Sequence, residues 1–290
     1  MFGLRLCAQL PPNPIVFAIA NSASGSATIG PNTWVTIYGE NLALPGDVRP
    51  WTASDLTNNQ MPTSLDGISA TFSNGERGFV SFISPNQIKI LTPTDLTQSS
   101  LLDGYGVTVE VDFVGVGPPI PGCSTLATYS GSCYNAYAPC LSGETCDGNI
   151  QGFTCGGNGT CSTPTSYASV SPALFILYPF DVIAEHADGT LVNSASPAAP
   201  GEEIVLYAEG LGAVSPPVIP GSAVQVGALV KTPKVEIGGL WAVVAFAGLV
   251  SPGLYQVNFV VPPNVTPGAT LLVIYAEGAS SQPGVLLMVD

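Results

Sequence analysis

Six cysteines crowd one segment: Cys123, Cys133, Cys140, Cys146, Cys155 and Cys161, with nine, six, five, eight and five residues between successive members. Zinc sites bring ligands in pairs separated by about two to four residues, and no such pair exists here. The Cys-x-x-Cys of cytosolic redox sites is also absent. The spacing therefore points to structural disulfides, three bridges stapling a segment poor in aliphatic residues. Six cysteines allow on the order of fifteen pairings, and spacing does not choose among them. Each closed loop stabilises by about 2–4 kcal/mol through restriction of the unfolded chain. Bridges imply an oxidising, extracytoplasmic compartment. Cys7 stands apart and is removed with a signal, free, or bridged to another chain.

His186 is the single histidine. No Gly-x-Ser-x-Gly elbow accompanies it, so His186-Ala187-Asp188-Gly189 reads as a polar turn. Glu202 and Glu203 are adjacent and point to opposite faces of a strand, which disfavours a glycosidase carboxylate pair. Asp66-Gly67, Asp103-Gly104, Asp147-Gly148 and Asp188-Gly189 are turn chemistry. Calcium at loop carboxylates stays open. No EF-hand, P-loop or dinucleotide motif occurs, so no metal site and no cofactor is expected. Trp34 and Trp241 sit inside apolar runs and read as core. Trp51, in Pro50-Trp51-Thr52, reads as the exposed indole and the candidate ligand contact.

The elements that must position these residues are strands. Val107-Thr108-Val109-Glu110-Val111 alternates cleanly, and similar β-rich runs start at Trp34, Phe79, Gln87, Glu203, Trp241, Tyr255, Leu271 and Val285. Branched and aromatic side chains suit a pleated, half-buried surface. With 33 glycines and 27 prolines between the runs, the pattern is that of an antiparallel sandwich. The chain also repeats itself at about 170 residues, too long a period for a solenoid. Asn21-Ser22-Ala23-Ser24 matches Asn193-Ser194-Ala195-Ser196, and Val35 to Leu42 matches Val205 to Leu211. Glu40 and Glu209 are thereby equivalent, which favours a structural role at a strand end. Val80 to Pro85 and Gln87 to Ile90 parallel Val244 to Leu249 and Tyr255 to Phe259. The expected fold is all-β. Residues 1–12 form an N-terminal segment or signal remnant. Sandwich domains follow at 13–116 and 168–290, with a disulfide-rich, loop-dominated insert at 117–167.

Composition bounds the partners. Only 9% of the 290 residues are charged, with six Lys and Arg against twenty Asp and Glu, for a net charge of −14. Nucleic-acid binding needs clustered Lys and Arg, and polybasic membrane contact needs the same; neither is expected. A spanning helix needs about 18 apolar residues in a row. The longest candidate, Leu240 to Val250, is far shorter and lies between Gly239 and Pro252.

Several phrases then carry a resemblance: Asn21-Ser22-Ala23-Ser24, Trp34 to Leu42, Pro62-Thr63-Ser64-Leu65-Asp66-Gly67 and Ile83 to Ile88. Their second-half counterparts are Asn193 to Pro200, Tyr207 to Gly212, Phe246 to Leu249 and Gly253 to Asn258. In this order they resemble a family of secreted bacterial proteins, abundant in acidobacteria, with an uncharacterised C-terminal domain. The resemblance implies an immunoglobulin-like fold of the IPT/TIG type, here in two tandem copies, and export. It implies no activity. The cysteine-rich insert departs from the family pattern.

The reading is a secreted, extracellular or cell-surface, non-enzymatic structural or interaction protein. Low charge and tandem domains suit self-assembly into a filament or surface layer, or contact with another surface protein. The run Ile15, Val16, Phe17, Ala18 and Ile19 is either the first strand of its own domain or an addition to a neighbour's sheet edge. The alternative is an adhesive or carbohydrate-binding module using Trp51 and the tyrosines on polysaccharide. Hydrolase activity through His186 or Glu203 ranks third.

Overall fold

The computed structural model describes residues 14–72, 75–97, 166–177 and 179–290 in full, and the backbone alone of 107–111, 129–130, 154–155 and 161–162. Cys7, Cys123, Cys133, Cys140 and Cys146 lie outside the described residues, as do the side chains of Cys155 and Cys161. The backbones of those last two are register partners in a short hairpin.

The described chain is all-β apart from one 3₁₀ turn, Ala53–Asp55. The first strands are β1 (Ile15–Asn21), β2 (Thr28–Ile29), β3 (Trp34–Glu40), β4 (Arg49–Pro50), β5 (Ile68–Phe72), β6 (Phe79–Ser84), β7 (Gln87–Leu91) and β8 (Val107–Val111). Four two-residue strands follow: β9 (Tyr129–Ser130), β10 (Thr154–Cys155), β11 (Cys161–Ser162) and β12 (Ser166–Tyr167). Next come β13 (Ala173–Leu174), β14 (Ile176–Leu177), β15 (Asp181–Val182), β16 (Ala184–Glu185), β17 (Glu203–Glu209) and β18 (Val214–Ser215). The last are β19 (Gly227–Leu229), β20 (Lys234–Ile237), β21 (Leu240–Ser251), β22 (Leu254–Val260), β23 (Gly268–Ala276), β24 (Ala279–Ser280) and β25 (Leu286–Val289). No helix among the described residues is long and apolar enough to cross a membrane.

Two separate hydrophobic cores form. The first takes residues from Val16 to Leu96, with Tyr167 packed against it. It lies with the sheet β1-β3-β7-β6-β4 and the smaller sheet β5-β8-β9. The second runs from Leu174 to Val289. Its strands join in one network because β21 serves two layers. Leu240–Ala242 of β21 pairs with β20, and Val243–Ser251 pairs with β22. The strands bury alternate residues, as the pleat requires. In β22, Tyr255, Val257 and Phe259 face the core, while Gln256 and Asn258 face outward. Burying a side chain such as Phe259 stabilises by about 1.5–3 kcal/mol.

The sequence repeat is a repeat of pairing. β3 sits between β1 and β7, with β6 beyond; β17 sits between β16 and β22, with β21 beyond. The register slips between Val80 and Phe82 in β6, and at the equivalent place between Val244 and Phe246 in β21. The two Asn-Ser-Ala-Ser phrases make the same turn. Asn21 Oδ1 accepts the amides of Ala23 and Ser24, and Asn193 Oδ1 those of Ala195 and Ser196. An Asn side chain that satisfies the amides two and three residues on is turn chemistry. Asp66-Gly67 closes a two-residue hairpin, both residues at positive φ (50° and 82°), as a type I′ turn demands.

Residues 166 and 167 pair with the first unit before the chain enters the second core. β12 adds in parallel to β2, and Tyr167 packs against the first core. β1 pairs with β3 inside its own sheet, at its edge. Ile15 to Ile19 thus make the first strand of their own unit.

Candidate binding face

β20 alternates strictly: Val235 and Ile237 are buried, while Lys234 and Glu236 point outward. In β23, Leu272, Ile274 and Ala276 are buried and Leu271, Val273 and Tyr275 face out. The Gly238-Gly239 turn, with φ of 57° and 83°, returns the chain as β21 and sets Trp241 opposite Glu236. On the other side Glu236 lies opposite Val273 and Lys234 opposite Tyr275. Three adjacent strands therefore present one outer face of Lys234, Glu236, Trp241, Val243, Leu271, Val273 and Tyr275. Trp241 is 58% exposed, Val243 70% and Leu271 55%.

The side chains on this face hold one another. The Trp241 and Tyr275 rings meet edge-on, centroids 5.6 Å apart at 62°. The Lys234 ammonium sits 5.6 Å from the Trp241 ring centroid, within the range of attraction to the negative face of an indole. The Tyr275 hydroxyl donates to Glu236 Oε2 at 3.2 Å, and that carboxylate raises the phenol pKa above its ordinary value. An open depression of about 390 Å³ runs beside β21 at Trp241, bordered by Thr232, Pro233 and Lys234 and, from the inward-facing side of the strand, by Ala242 and Val244. A flat apolar ring with donors and acceptors at its rim offers stacking and hydrogen bonding together.

The three tryptophans are placed differently from the sequence reading. Trp241, expected in the core, is the exposed indole. Trp51, expected exposed, is half-buried against the first core. Trp34 is half-buried too, its Nε1–H donating to Pro252 O at 2.8 Å. Lys234, Glu236 and Tyr275 were not singled out by the sequence at all.

His186 does gather a serine and a carboxylate. Nδ1 lies 2.6 Å from Glu202 Oε1, and Nε2 lies 3.2 Å from Ser196 Oγ. Nε2 is just as near the Ser196 carbonyl, at 3.1 Å; that oxygen only accepts, so it favours a proton on Nε2, and a nitrogen carrying a proton is no base for the hydroxyl. The amides of Ala195 and Ser196, which would have to stabilise an oxyanion, are already bound to Asn193 Oδ1. Glu203 points away and accepts from Asn258 Nδ2 at 2.9 Å. Among the described residues no three His, Cys, Asp or Glu side chains converge as metal ligands would.

Among the described residues, Arg49 sits between two carboxylates. Its guanidinium contacts Asp66 at 2.5 Å and Asp55 at 2.9 Å. The hydrogen bonds from Arg49 hold both carboxyls below the ordinary aspartate range. Asp55 also caps its own 3₁₀ turn by accepting the Thr52 amide at 2.7 Å. This cluster fastens β4 to the Asp66-Gly67 hairpin and is structural. The equivalent glutamates part ways: Glu40 is exposed, whereas Glu209 is fully buried.

No family model and no curated protein matches the chain. Among solved structures it is similar to the plexin A4 extracellular region, at 13% identity over 96% of this chain and 18% of that one, with a TM-score of 0.26. It is also similar to the SGBP-B of a Bacteroides ovatus mixed-linkage glucan utilization locus, solved with a mixed-linkage heptasaccharide. That likeness is 9% identity over 93% of this chain and 46% of that one, with a TM-score of 0.33. A third is the surface glycan-binding protein PbSGBP-B from Prevotella bryantii, at 8% identity over 95% and 42%, with a TM-score of 0.25. The chain spans less than half the length of each of these.

Proposed function

We propose that the chain is a secreted, non-catalytic binding protein of two tandem immunoglobulin-like sandwiches that takes polysaccharide on the outer face of the second. The observation carrying this reading is the exposed Trp241 ring, held edge-on by Tyr275 and flanked by Glu236 and Lys234. A sugar ring has an apolar C–H face and a rim of hydroxyls. Its face covers an indole, and its rim meets a carboxylate acceptor and an ammonium donor. Exposed aliphatic side chains occur elsewhere too, such as Ile219 and Val224; what sets this face apart is an aromatic ring with a carboxylate and an ammonium at its rim. An exposed sheet face, unlike an enclosed cavity, suits a chain running across it rather than a small molecule held inside. Trp51, half-buried, is not part of this site.

The test is affinity electrophoresis through gels carrying neutral glucans, xylans, mannans or galactans, followed by calorimetry on any that retard the protein. Truncating a central aromatic anchor costs about 2 kcal/mol or more, roughly thirtyfold in affinity. Trp241→Ala is expected to lose the retardation and Trp51→Ala to keep it. Binding that survives Trp241→Ala, or no retardation by any polysaccharide, rejects the proposal.

A further inference from the structure

Glu209 closes β17 with no exposed surface. Its partners belong to the other core. Oε1 accepts the Ala23 amide at 3.1 Å and Oε2 accepts the Trp34 amide at 3.2 Å. Around it the two cores are joined by further polar contacts. Trp34 Nε1–H donates to Pro252 O at 2.8 Å. The Asn32 side chain reaches the Tyr255 phenol, which itself donates to Gly212 O at 2.7 Å. A buried carboxylate is costly unless it is paired with a charge. Among the described residues no cation touches it.

The repeat shows what this glutamate is for. Glu40, its equivalent at the end of β3, is exposed, so the strand end does not need a buried carboxyl. Glu209 is buried because the first core covers it. We propose that Glu209 is a proton-controlled latch between the two cores, closed while its carboxyl is neutral and weakened when it ionises. This inference is independent of the ligand on the outer face.

The charge environment sets the direction. Ala23 and Trp34, from the first core, bring amides. β13 and β22 flank β17: Ala173 lies opposite Glu209, and Tyr255, opposite the neighbouring Ala208, keeps a neutral phenol whose pKa burial pushes up to about 12. Lys89 on β7 is the charged side chain whose field reaches the carboxyl, and it lowers the pKa. Burial outweighs these contributions and pushes Glu209 up to about 8. When the cores separate, the carboxyl returns to its ordinary value of 4.5. Docking therefore takes up a proton between those two values. By linkage the docking constant falls by up to about tenfold per pH unit across that window and levels off on either side.

Hydrogen exchange on the full chain at pH 5, 6.5 and 8 reads this directly, with protection corrected for the intrinsic rate. The Ala23 and Trp34 amides are expected to lose protection by up to about tenfold per pH unit, while the Val257 amide in the second core keeps its own. Flat junction protection in the wild-type protein overturns the proposal without any variant. Glu209→Gln keeps an acceptor and cannot ionise, so its junction should show no slope; a retained slope assigns the effect to another group and also overturns it. Should that variant fold poorly, Lys89→Met removes the one favourable charge and is expected to move the wild-type window to higher pH. An unmoved window in Lys89→Met, like a flat wild-type profile, counts against Glu209.

Discussion

His186 shows how a single side chain can look catalytic and be structural. Both ring nitrogens face acceptors, Glu202 on one side and the Ser196 carbonyl on the other. The hydrogen bond to Glu202 is the main cause that raises the imidazole above its ordinary value of 6.5, and Glu202 is correspondingly lowered. A histidine raised in the folded state contributes stability that is full below 6.5 and is lost as pH rises through its folded value. Because the chain has one histidine, a single set of imidazole resonances will report it. We expect a titration midpoint above 6.5 by NMR, falling towards that value in Glu202→Gln. A wild-type midpoint at or below 6.5 would show that the ion pair does not form in solution. The sequence placed His186 correctly at a turn, but nothing in His186-Ala187-Asp188-Gly189 announces Glu202 sixteen residues on. That contact exists because β16 and β17 pair, a tertiary fact.

Strands were the most legible elements, because alternation and turn residues are local. Gln87–Leu91 and Val107–Val111 lie where the sequence put them, and the others differ by a few residues at their ends. What alternation cannot reveal is which face of an apolar strand is covered. The run from Leu240 reads as core from its composition, yet Trp241 and Val243 face out while Ala242 and Val244 pack inward. One signal was available. A two-residue Gly-Gly turn places the residues flanking it opposite each other, so Trp241 must share a face with Glu236 and hence with Lys234. Polar partners mark that face as the outer one. The first unit offers an element-scale test of how closely its strands pack. Gly39 lies opposite Val16 in the β1–β3 ladder, and a Cβ there would stand 2.0 Å from the Ile15 carbonyl oxygen. Backbone cannot yield as a flexible side chain does, so Gly39→Ala must push β1 off β3. We expect a loss of about 1–3 kcal/mol, read as a lower urea midpoint at unchanged slope. Gly46→Ala, where nothing stands within 4 Å but φ is 88°, should cost only the backbone strain of about 1–2 kcal/mol. An unchanged midpoint in Gly39→Ala means that β1 is not held as described.

At the scale of the whole molecule, the question is whether two cores behave as one body. Each buries its own side chains, and each would be expected to unfold by itself if only a chain segment joined them. The contacts between them argue otherwise. Besides the Glu209 and Trp34 bonds, Met61 N–H donates to Gly221 O at 2.7 Å and Ala223 N–H to Asn59 O at 2.9 Å. The Phe79 ring packs so close to Gly221 that a Cβ would lie 2.1 Å from it. On the other side of the junction, Gly253 makes the turn between β21 and β22 at a φ of 68°. A Cβ there would come within 2.8 Å of Trp34 Nε1 and 2.7 Å of Leu91 Cδ1. With these contacts in place we expect one calorimetric transition at pH 5.5, where the junction is closed. Gly253→Ala strains its own turn by about 1–2 kcal/mol and pushes Trp34 away from Pro252, so coupling is lost along with some stability. The expected result is two transitions, the second core shifted down by roughly 3–12 °C and the first core unfolding at a temperature of its own. Trp34 fluorescence, isolated by Trp51→Phe and Trp241→Phe, should then change with the first core alone. One transition that merely shifts to lower temperature would mean that the cores are coupled by other contacts. Two transitions already present in the wild-type protein would mean that this junction does not couple them.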